Sequence, residues 1–262
     1  MFKIDGVPVE IGRYPDGTPR LNIAAASETA TIEWYYEKDE EMILFFIANH
    51  LKEIYSVRSQ TLFMPYIPHA RMDRVKSPQE VFTLKHFCAF INAMGFDKVI
   101  VRDAHSDVSL TLLNNVVSEP VDNIIKELAQ RLLDPRKDIV FYPDEGSRRR
   151  YDGMVGFPCA FGAKRRDWNT GMIQGTDING GVPPSPFDVL IIDDISSYGG
   201  TFLHSAKKLK ELGADKIYLY VTHCEDSILK GELIGSGLLE RIYTTKSIYT
   251  GDHPLIEIME GK

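Results

Sequence analysis

The segment DVLIIDD at residues 188–194 constrains the fold most, because it is a near-continuous apolar run that ends in two carboxylates. A strand covered by helices on both faces has this composition, since neither face meets water. A glycine turn follows, and then a helical pattern over 201–212 that stops at Gly213. This order predicts a parallel strand, a short connection and a helix.

The same alternation recurs along the chain. Further strands are predicted at 61–66, 98–103, 138–144 and 216–223, and further helices at 78–94 and 122–133. Strands that alternate with helices favour βαβ units, so we predict an α/β fold with mainly parallel sheets flanked by helices.

Proline and charged residues near 133–137 predict a boundary between two similar halves, 1–135 and 136–262. The glycine- and proline-containing stretch 145–186 is expected to be one long loop, and loops of that length are usually functional. Ligands of open α/β sheets bind at the carboxyl ends of the strands, so polar residues at those ends are the candidate site residues.

Composition excludes several classes of protein. The 30 basic and 37 acidic residues give a net charge of −7, which argues against charge-driven binding to nucleic acid or to an anionic membrane. No apolar run reaches the roughly 20 residues that cross a bilayer. Cys88, Cys159 and Cys224 have no metal-type spacing, and a cytoplasmic location with reduced, mostly buried thiols is expected.

A cradle for an anion is predicted directly after the apolar strand. Its members supply hydroxyls and backbone N–H groups at a helix start: Ser196, Ser197, Tyr198, Gly199, Gly200 and Thr201. Asp193 and Asp194 precede it and suit the hydroxyls of a sugar whose phosphate occupies the cradle, or a magnesium ion. The alternative is an ordinary capped helix after a glycine turn.

Eight segments, in their order and spacing, resemble the ribose-phosphate pyrophosphokinase family. They are RYPDGT (13–18), MPYIPHARMDR (64–74), VIVRDAHS (99–106), PVDNI (120–124), YPDEGSRRR (142–150), AKRRD (163–167), the cradle and YVTHC (220–224). The resemblance implies two tandem phosphoribosyltransferase-like domains. It also implies ATP and a ribose-phosphate acceptor as substrates, Mg²⁺ as cofactor, and transfer of the β,γ-diphosphate of ATP to an anomeric hydroxyl.

The resemblance also implies roles for single residues. Those at ATP-associated positions are Tyr14, Asp16, Arg71 and Asp73. Those at catalytic positions are His105, Lys164 and Arg166, with Asp144 at a ribose-binding position and His105, Asp193 and Asp194 as metal ligands. Independently, diphosphoryl transfer requires positioning and positive charge on the migrating oxygens, which a lysine and an arginine supply.

Several of these residues also have a purely structural interpretation. YPDGT is also β-turn chemistry, ARMDR can be a solvated helix start, and His105 near Asp103 can be a structural hydrogen bond. The basic AKRRD segment can be a solvated patch. For Arg148–Arg150 surface solvation is the preferred interpretation.

The cradle departs from the family pattern of Asp-Thr-(Gly or Ala)-Gly-Thr. Ser197 and Tyr198 replace the first two of those residues, and the Tyr198 ring could stack on a base. We therefore expect either ribose 5-phosphate or a 5-extended ribose such as ADP-ribose as acceptor, the latter giving an activated donor for NAD synthesis. Met72 also replaces a glutamine of the family, which removes a hydrogen-bond donor there.

Two other functions share part of this pattern. A phosphoribosyltransferase that consumes the activated diphosphate would also use the cradle and the acidic pair, and a non-catalytic regulatory homologue would bind nucleotide without turnover. Lys164, Arg166, His105 and the ATP-associated segments favour the diphosphokinase. The resemblance implies a homo-oligomer, at least a dimer, and the apolar segment 41–51 is either a core helix or a subunit contact.

Overall fold

The computed structural model describes residues 1–24, 26–166 and 173–259, and it describes their side chains except at 164–166 and 173–176. The chain divides into an N-terminal unit, Met1–Pro120, and a C-terminal unit, Val121–Lys262. The sequence placed this boundary after residue 135. The structure places it earlier because the helix over 122–132 packs its apolar side chains on the second sheet.

The N-terminal unit is a six-stranded sheet with helices and a separate two-stranded hairpin. Its strands are β1 (Phe2–Ile4), β2 (Val7–Pro8), β3 (Glu10–Arg13), β4 (Pro19–Asn22), β5 (Thr29–Trp34), β6 (Ser59–Met64), β7 (Lys98–Arg102) and β8 (Val116–Glu119). Its helices are α1 (Glu41–Glu53), α2 (Thr83–Ala93) and α3 (Asp107–Leu112). The sheet order is β2-β1-β5-β6-β7-β8, with β5 to β8 parallel, and β3 pairs only with β4.

The helices of this unit cover the sheet with one face each. Helix α1 buries Ile43, Leu44 and Ile47, so segment 41–51 contributes to the core. Helix α2 begins at Thr83 rather than at 78, and it ends before Gly95, whose φ of +66° is the left-handed conformation of a helix stop. The strands expected near 61–66 and 98–103 are confirmed.

The C-terminal unit is built on a seven-stranded sheet. Its strands are β9 (Ile139–Tyr142), β10 (Cys159–Arg166), β11 (Ile173–Gly180), β12 (Phe187–Ser196), β13 (Ala214–Cys224), β14 (Arg241–Thr245) and β15 (Ile256–Met259). Its helices are α4 (Asp122–Leu132), α5 (Glu145–Tyr151), α6 (Gly200–Glu211) and α7 (Glu232–Gly235), with a short 3₁₀ turn at Asp226–Lys230. The order is β11-β10-β9-β12-β13-β14-β15, parallel except for the β10–β11 hairpin.

Apolar side chains cover both faces of this sheet. On one face Phe202 and Leu209 of α6 pack with Ile191 of β12, and on the other Ile125 of α4 packs with Ile192. Strand β12 is therefore buried on both sides, as its apolar run predicts. Together the two units confirm the predicted α/β fold with largely parallel, helix-flanked sheets.

The expectation of one long loop over 145–186 is wrong. That stretch contains helix α5 and the antiparallel hairpin of β10 and β11. Glycines and charges interrupt the apolar alternation of both strands, which hid them in the sequence. Of the cysteines, Cys88 and Cys224 are buried and Cys159 is partly buried, all as free thiols. Within the described ranges, none of the helices combines the length and apolarity needed to cross a membrane.

Candidate active site

The predicted anion cradle joins strand β12 to helix α6 at the carboxyl edge of the second sheet. Ser196 ends the strand and is buried, and its carbonyl oxygen accepts a 2.8 Å bond from the Glu225 N–H. Gly199 has a φ of +79° and precedes the helix, which begins at Gly200 and Thr201. The first turn of α6 contains no acidic residue. Backbone N–H groups and the positive end of the helix dipole therefore meet any anion held there.

Tyr198 is the most exposed large side chain of the cradle, with 59% of its surface accessible. Ser197, next to it, is partly buried. Because the Tyr198 ring is not packed into the core, it is free to contact a ligand that extends beyond the cradle. The geometry is compatible with the stacking role expected from the sequence.

The acidic pair lies at the carboxyl end of β12. The Asp194 N–H donates to Asp193 Oδ1 over 3.0 Å, and Asp194 itself is buried. Burial is the largest cause that raises the pKa of Asp193 well above its usual value, followed by the charge of Asp194 and, more weakly, that of Asp144. Three carboxylates thus share one electrostatic environment.

Asp144 caps helix α5, directly after β9. Its Oδ1 accepts from Gly146 N at 2.9 Å and from Ser147 N at 3.1 Å, while the Asp144 N–H donates to Ser147 Oγ at 3.3 Å, which completes a capping box. Strands β9 and β12 are parallel neighbours, with Phe141 opposite Ile191. Asp144 and the acidic pair therefore emerge at the same sheet edge.

Lys164 and Arg166 lie in strand β10, and their side chains are outside the described part of the structure. The backbone register is informative. Phe161 pairs with Tyr142, the last residue of β9, so Lys164 and Arg166 lie three and five residues past that level. Strand β10 thus projects beyond the same sheet edge at which Asp144 and the acidic pair emerge.

The three consecutive arginines do not share one environment. Arg149 is 80% exposed, as surface solvation predicts. Arg148 lies over the Phe161 ring at 4.2 Å, and Arg150 pairs with Asp194 at 3.4 Å with only a quarter of its side chain exposed. Solvation therefore describes Arg149, whereas the Phe161 ring partly covers Arg148 and Arg150 is turned towards a buried carboxylate.

In the N-terminal unit, residues from the loops that follow two neighbouring strands approach each other. Asp73 follows β6, and a hydrogen bond from Arg74 is the largest cause that lowers its pKa, with weaker contributions from Ser106 and His105. The Arg74 Nε to Asp73 Oδ1 distance is 2.9 Å. His105 follows β7, where Asp103 adopts a φ of +41°. Two positions far apart in sequence, Asp73 and His105, are therefore brought together.

The other ATP-associated positions lie in the loop that also holds Asp73 and in the β3–β4 hairpin. Arg71 is exposed in the loop between β6 and α2. Tyr14, 53% exposed, and Asp16 form the turn of the β3–β4 hairpin, where Thr18 donates to Asp16 Oδ1 from its N–H at 3.0 Å and from Oγ1 at 2.7 Å. Those bonds lower the pKa of Asp16. The turn predicted as the bland alternative is thus present.

The acidic pair offers carboxylate oxygens, which are donors that Mg²⁺ uses in proteins. Among the described residues no group of three or more His, Cys, Asp or Glu side chains is arranged to hold a metal ion. Magnesium keeps several waters and binds through one or two carboxylates together with substrate phosphates. Asp193 and Asp194 provide such oxygens in the C-terminal unit, whereas His105 belongs to the N-terminal unit.

Comparison with known proteins finds similarity over most of the chain. No protein-family model matches it. A ribose-phosphate pyrophosphokinase of Thermococcus kodakarensis is 29% identical over 229 residues, covering 82% of this chain and 77% of that protein. One of Sulfurisphaera tokodaii is 28% identical over 263 residues, covering 95% and 88%.

Among solved structures, a phosphoribosylpyrophosphate synthetase from Mycobacterium smegmatis aligns with a TM-score of 0.77. The alignment covers 96% of this chain and 85% of that one at 17% sequence identity. At that identity the likeness establishes the fold, which is that of two tandem phosphoribosyltransferase-like domains.

Proposed function

The chain belongs to the ribose-phosphate pyrophosphokinase family, and on that basis we propose that it transfers the β,γ-diphosphate of ATP to the anomeric 1-hydroxyl of a ribose 5-phosphate-type acceptor. It is a transferase of the diphosphokinase type. The acceptor hydroxyl oxygen bonds to the β-phosphorus of ATP, the bond from that phosphorus to the α,β-bridging oxygen breaks, and AMP leaves. The hydroxyl proton is released.

A single observation supports this proposal most. The acidic pair of Asp193 and Asp194, the anion cradle and the projecting strand β10 all lie at one edge of the second sheet. An edge that combines carboxylates with a helix N-terminus suits a sugar phosphate, because the carboxylates accept from sugar hydroxyls and the cradle binds the 5-phosphate.

The chemistry requires positive charge rather than a covalent intermediate. Lys164 and Arg166 are proposed to neutralise the migrating diphosphate, and Asp144 to bind the ribose. On the nucleotide side we assign Tyr14, Asp16, Arg71 and Asp73 to ATP and His105 to catalysis. Mg²⁺, bound with the nucleotide phosphates near Asp193, Asp194 or His105, would supply further charge neutralisation.

The altered cradle supports a larger acceptor. Tyr198 is exposed beside the 5-phosphate position, and Ser197 carries no charge to repel a second phosphate. We propose ADP-ribose as an acceptor alongside ribose 5-phosphate, which would give ADP-ribose 1-diphosphate. That product carries the leaving group needed to attach a nitrogen base such as nicotinamide, the step that would lead to NAD.

We also propose a homo-oligomer of at least two copies in the cytoplasm. Helix α1 presents Met42, Phe45 and Phe46 outward, each at least 39% exposed, and the Phe45 ring lies 6.4 Å from that of Phe90. A contiguous aromatic face of this kind is typical of a protein contact. Three free thiols suit a reducing compartment. Light scattering of Phe46→Ser should report a smaller assembly than the parent.

Release of AMP from ATP tests the reaction directly. With Mg²⁺ and either ribose 5-phosphate or ADP-ribose, AMP should form only when a sugar is present, together with the corresponding 1-diphosphate. Release of pyrophosphate from phosphoribosyl pyrophosphate on addition of a base, without AMP formation, would instead indicate a phosphoribosyltransferase. If neither AMP nor pyrophosphate forms, the protein is a regulatory homologue without turnover.

A further inference from the structure

Arg150 occupies a different position from the two arginines before it. Its Nη1 lies 3.4 Å from Asp194 Oδ2, with 25% of the Arg150 side chain and 8% of the Asp194 side chain exposed. Arg149, one residue earlier, points away to Glu145 and is 80% exposed. Of these two neighbours, the one that faces the acidic pair is also the one that is largely removed from water.

Helix α5 fixes the distance between Arg150 and the ribose side of the site. Its first residue follows Asp144, whose capping box holds the helix start, and its last residue is the fully buried Tyr151. The Tyr142 hydroxyl donates to the Tyr151 carbonyl oxygen at 3.2 Å, which ties the helix end to strand β9. One short, doubly anchored helix therefore carries both Asp144 and Arg150.

A buried carboxylate beside a second carboxylate needs a fixed counter-charge. Asp193 and Asp194 are adjacent in the chain, and like charges at short range repel, so their side chains tend to separate or turn towards solvent. A guanidinium is planar and always charged, which lets it restrain the direction of a carboxylate as well as its charge.

We propose that Arg150 is a positioning residue for the sugar acceptor: it holds the Asp194 carboxylate in the orientation in which the acidic pair receives the ribose hydroxyls. This inference rests on the proposed assignment of that pair to the acceptor. Arg150 itself is not assigned a contact with the substrate. It acts through Asp194, and so its loss should affect the acceptor and not ATP.

The test compares Arg150→Gln and Arg150→Lys with the matched surface control Arg149→Gln. Acceptor KM and ATP KM are measured separately, and binding of ribose 5-phosphate and of ADP-ribose is measured by calorimetry without ATP. We expect Arg150→Gln to weaken acceptor binding by about tenfold with ATP KM within about twofold of the parent. The acceptor affinity of Arg150→Lys should lie between those of Arg150→Gln and the parent, because the charge remains without the planar guanidinium. Arg149→Gln should bind the acceptor as the parent does.

An acceptor affinity within about twofold of the parent in Arg150→Gln, or an equal loss of ATP and acceptor affinity, would overturn the inference. Should Arg150→Gln fail to fold, Arg150→Lys carries the test, and unchanged acceptor binding in that variant is the contrary result. Both variants are checked by their thermal midpoints.

Asp194→Asn separates this inference from the function on which it rests. If Asp194→Asn binds the acceptor normally, the assignment of the acidic pair itself fails. If Asp194→Asn weakens binding and Arg150→Gln does not, only the role of Arg150 fails. In the double variant the two losses should not add, because Arg150 acts through the carboxylate that Asp194→Asn removes.

Discussion

Gly231 lies against the carbonyl oxygen of Tyr198 so closely that a methyl group on Gly231 would overlap that oxygen. In a second close approach the glycine belongs to the cradle, since a Cβ on Gly199 would lie 2.6 Å from Leu233 Cδ2. Ile228 and Leu233 lie on either side of Gly231 and are buried, so segment 228–233, which contacts the cradle, is anchored in the core. The shape of the cradle therefore depends on residues about thirty positions later in the chain.

Replacing Gly231 should damage the cradle without touching a ligand. In Gly231→Ala the new methyl group displaces the Tyr198 backbone, and a shift of about 1 Å at a positioned phosphate can lower kcat/KM for the acceptor about 100-fold. Steady-state kinetics with varied acceptor measures this, and overpacking should also lower stability by about 1–3 kcal/mol.

Gly235→Ala is the matched control for that variant. Gly235 lies four residues later in helix α7, where an added Cβ meets nothing within 4 Å. It should keep parental kinetics and stability. Equal kinetics for the two variants would mean that Gly231 does not shape the cradle.

Tyr198→Thr should change the choice of acceptor. A threonine restores the hydroxyl of the family pattern and removes the exposed ring, so the ratio of kcat/KM for ribose 5-phosphate to that for ADP-ribose should rise. A lost aromatic stacking contact of about 1–3 kcal/mol corresponds to a change of about 5- to 150-fold. Tyr198→Phe keeps the ring and should leave the ratio close to the parental one. A ratio that is the same in all three proteins would exclude Tyr198 as the selector.

The architecture could be predicted from the sequence where a strand is buried on both faces, because such a strand is a continuous run of apolar residues. Strand β12 and helix α6 are the example, because an apolar run and a glycine stop define them locally. The β10–β11 hairpin could not be predicted in this way. Its pairing of Phe161 with Asn179 and Ala163 with Asp177 follows from tertiary register, and the alternation is broken by glycines.

Some site residues could be predicted from the sequence and others could not. The cradle and the acidic pair are contiguous in sequence, so their chemistry could be predicted together. The Arg150–Asp194 pair and the approach of Asp73 to His105 join residues about forty and thirty positions apart, and only the folded register brings them together. The unit boundary shifted for a related reason, since the amphipathic helix α4 could have packed on either sheet.

Lys164→Ala should lower turnover while leaving ATP binding nearly intact. One cation that acts on the migrating anion in the transition state contributes on the order of 3 kcal/mol, which corresponds to at least about 100-fold in kcat. Single-turnover AMP formation and ATP binding are measured on the same preparation. Lys207→Ala, an exposed lysine on α6, is the control and should behave as the parent. A fall in ATP affinity with unchanged turnover of the bound complex would assign Lys164 to ground-state binding.

Asp193 should make the protein less stable as the pH rises. Burial and the charge of Asp194 raise its pKa in the folded state above the ordinary value, so folding favours the protonated form. That contribution to stability is complete below the ordinary pKa of an aspartate and is lost as the pH rises through the folded pKa. Asp193→Asn lacks this loss, so its gain in thermal midpoint over the parent, measured with EDTA, should be larger at about pH 8 than at about pH 4. Asp16→Asn should show no such gain in thermal midpoint, since hydrogen bonds from Thr18 lower the pKa of Asp16. A gain in thermal midpoint of Asp193→Asn that was the same at both pH values would contradict the raised pKa.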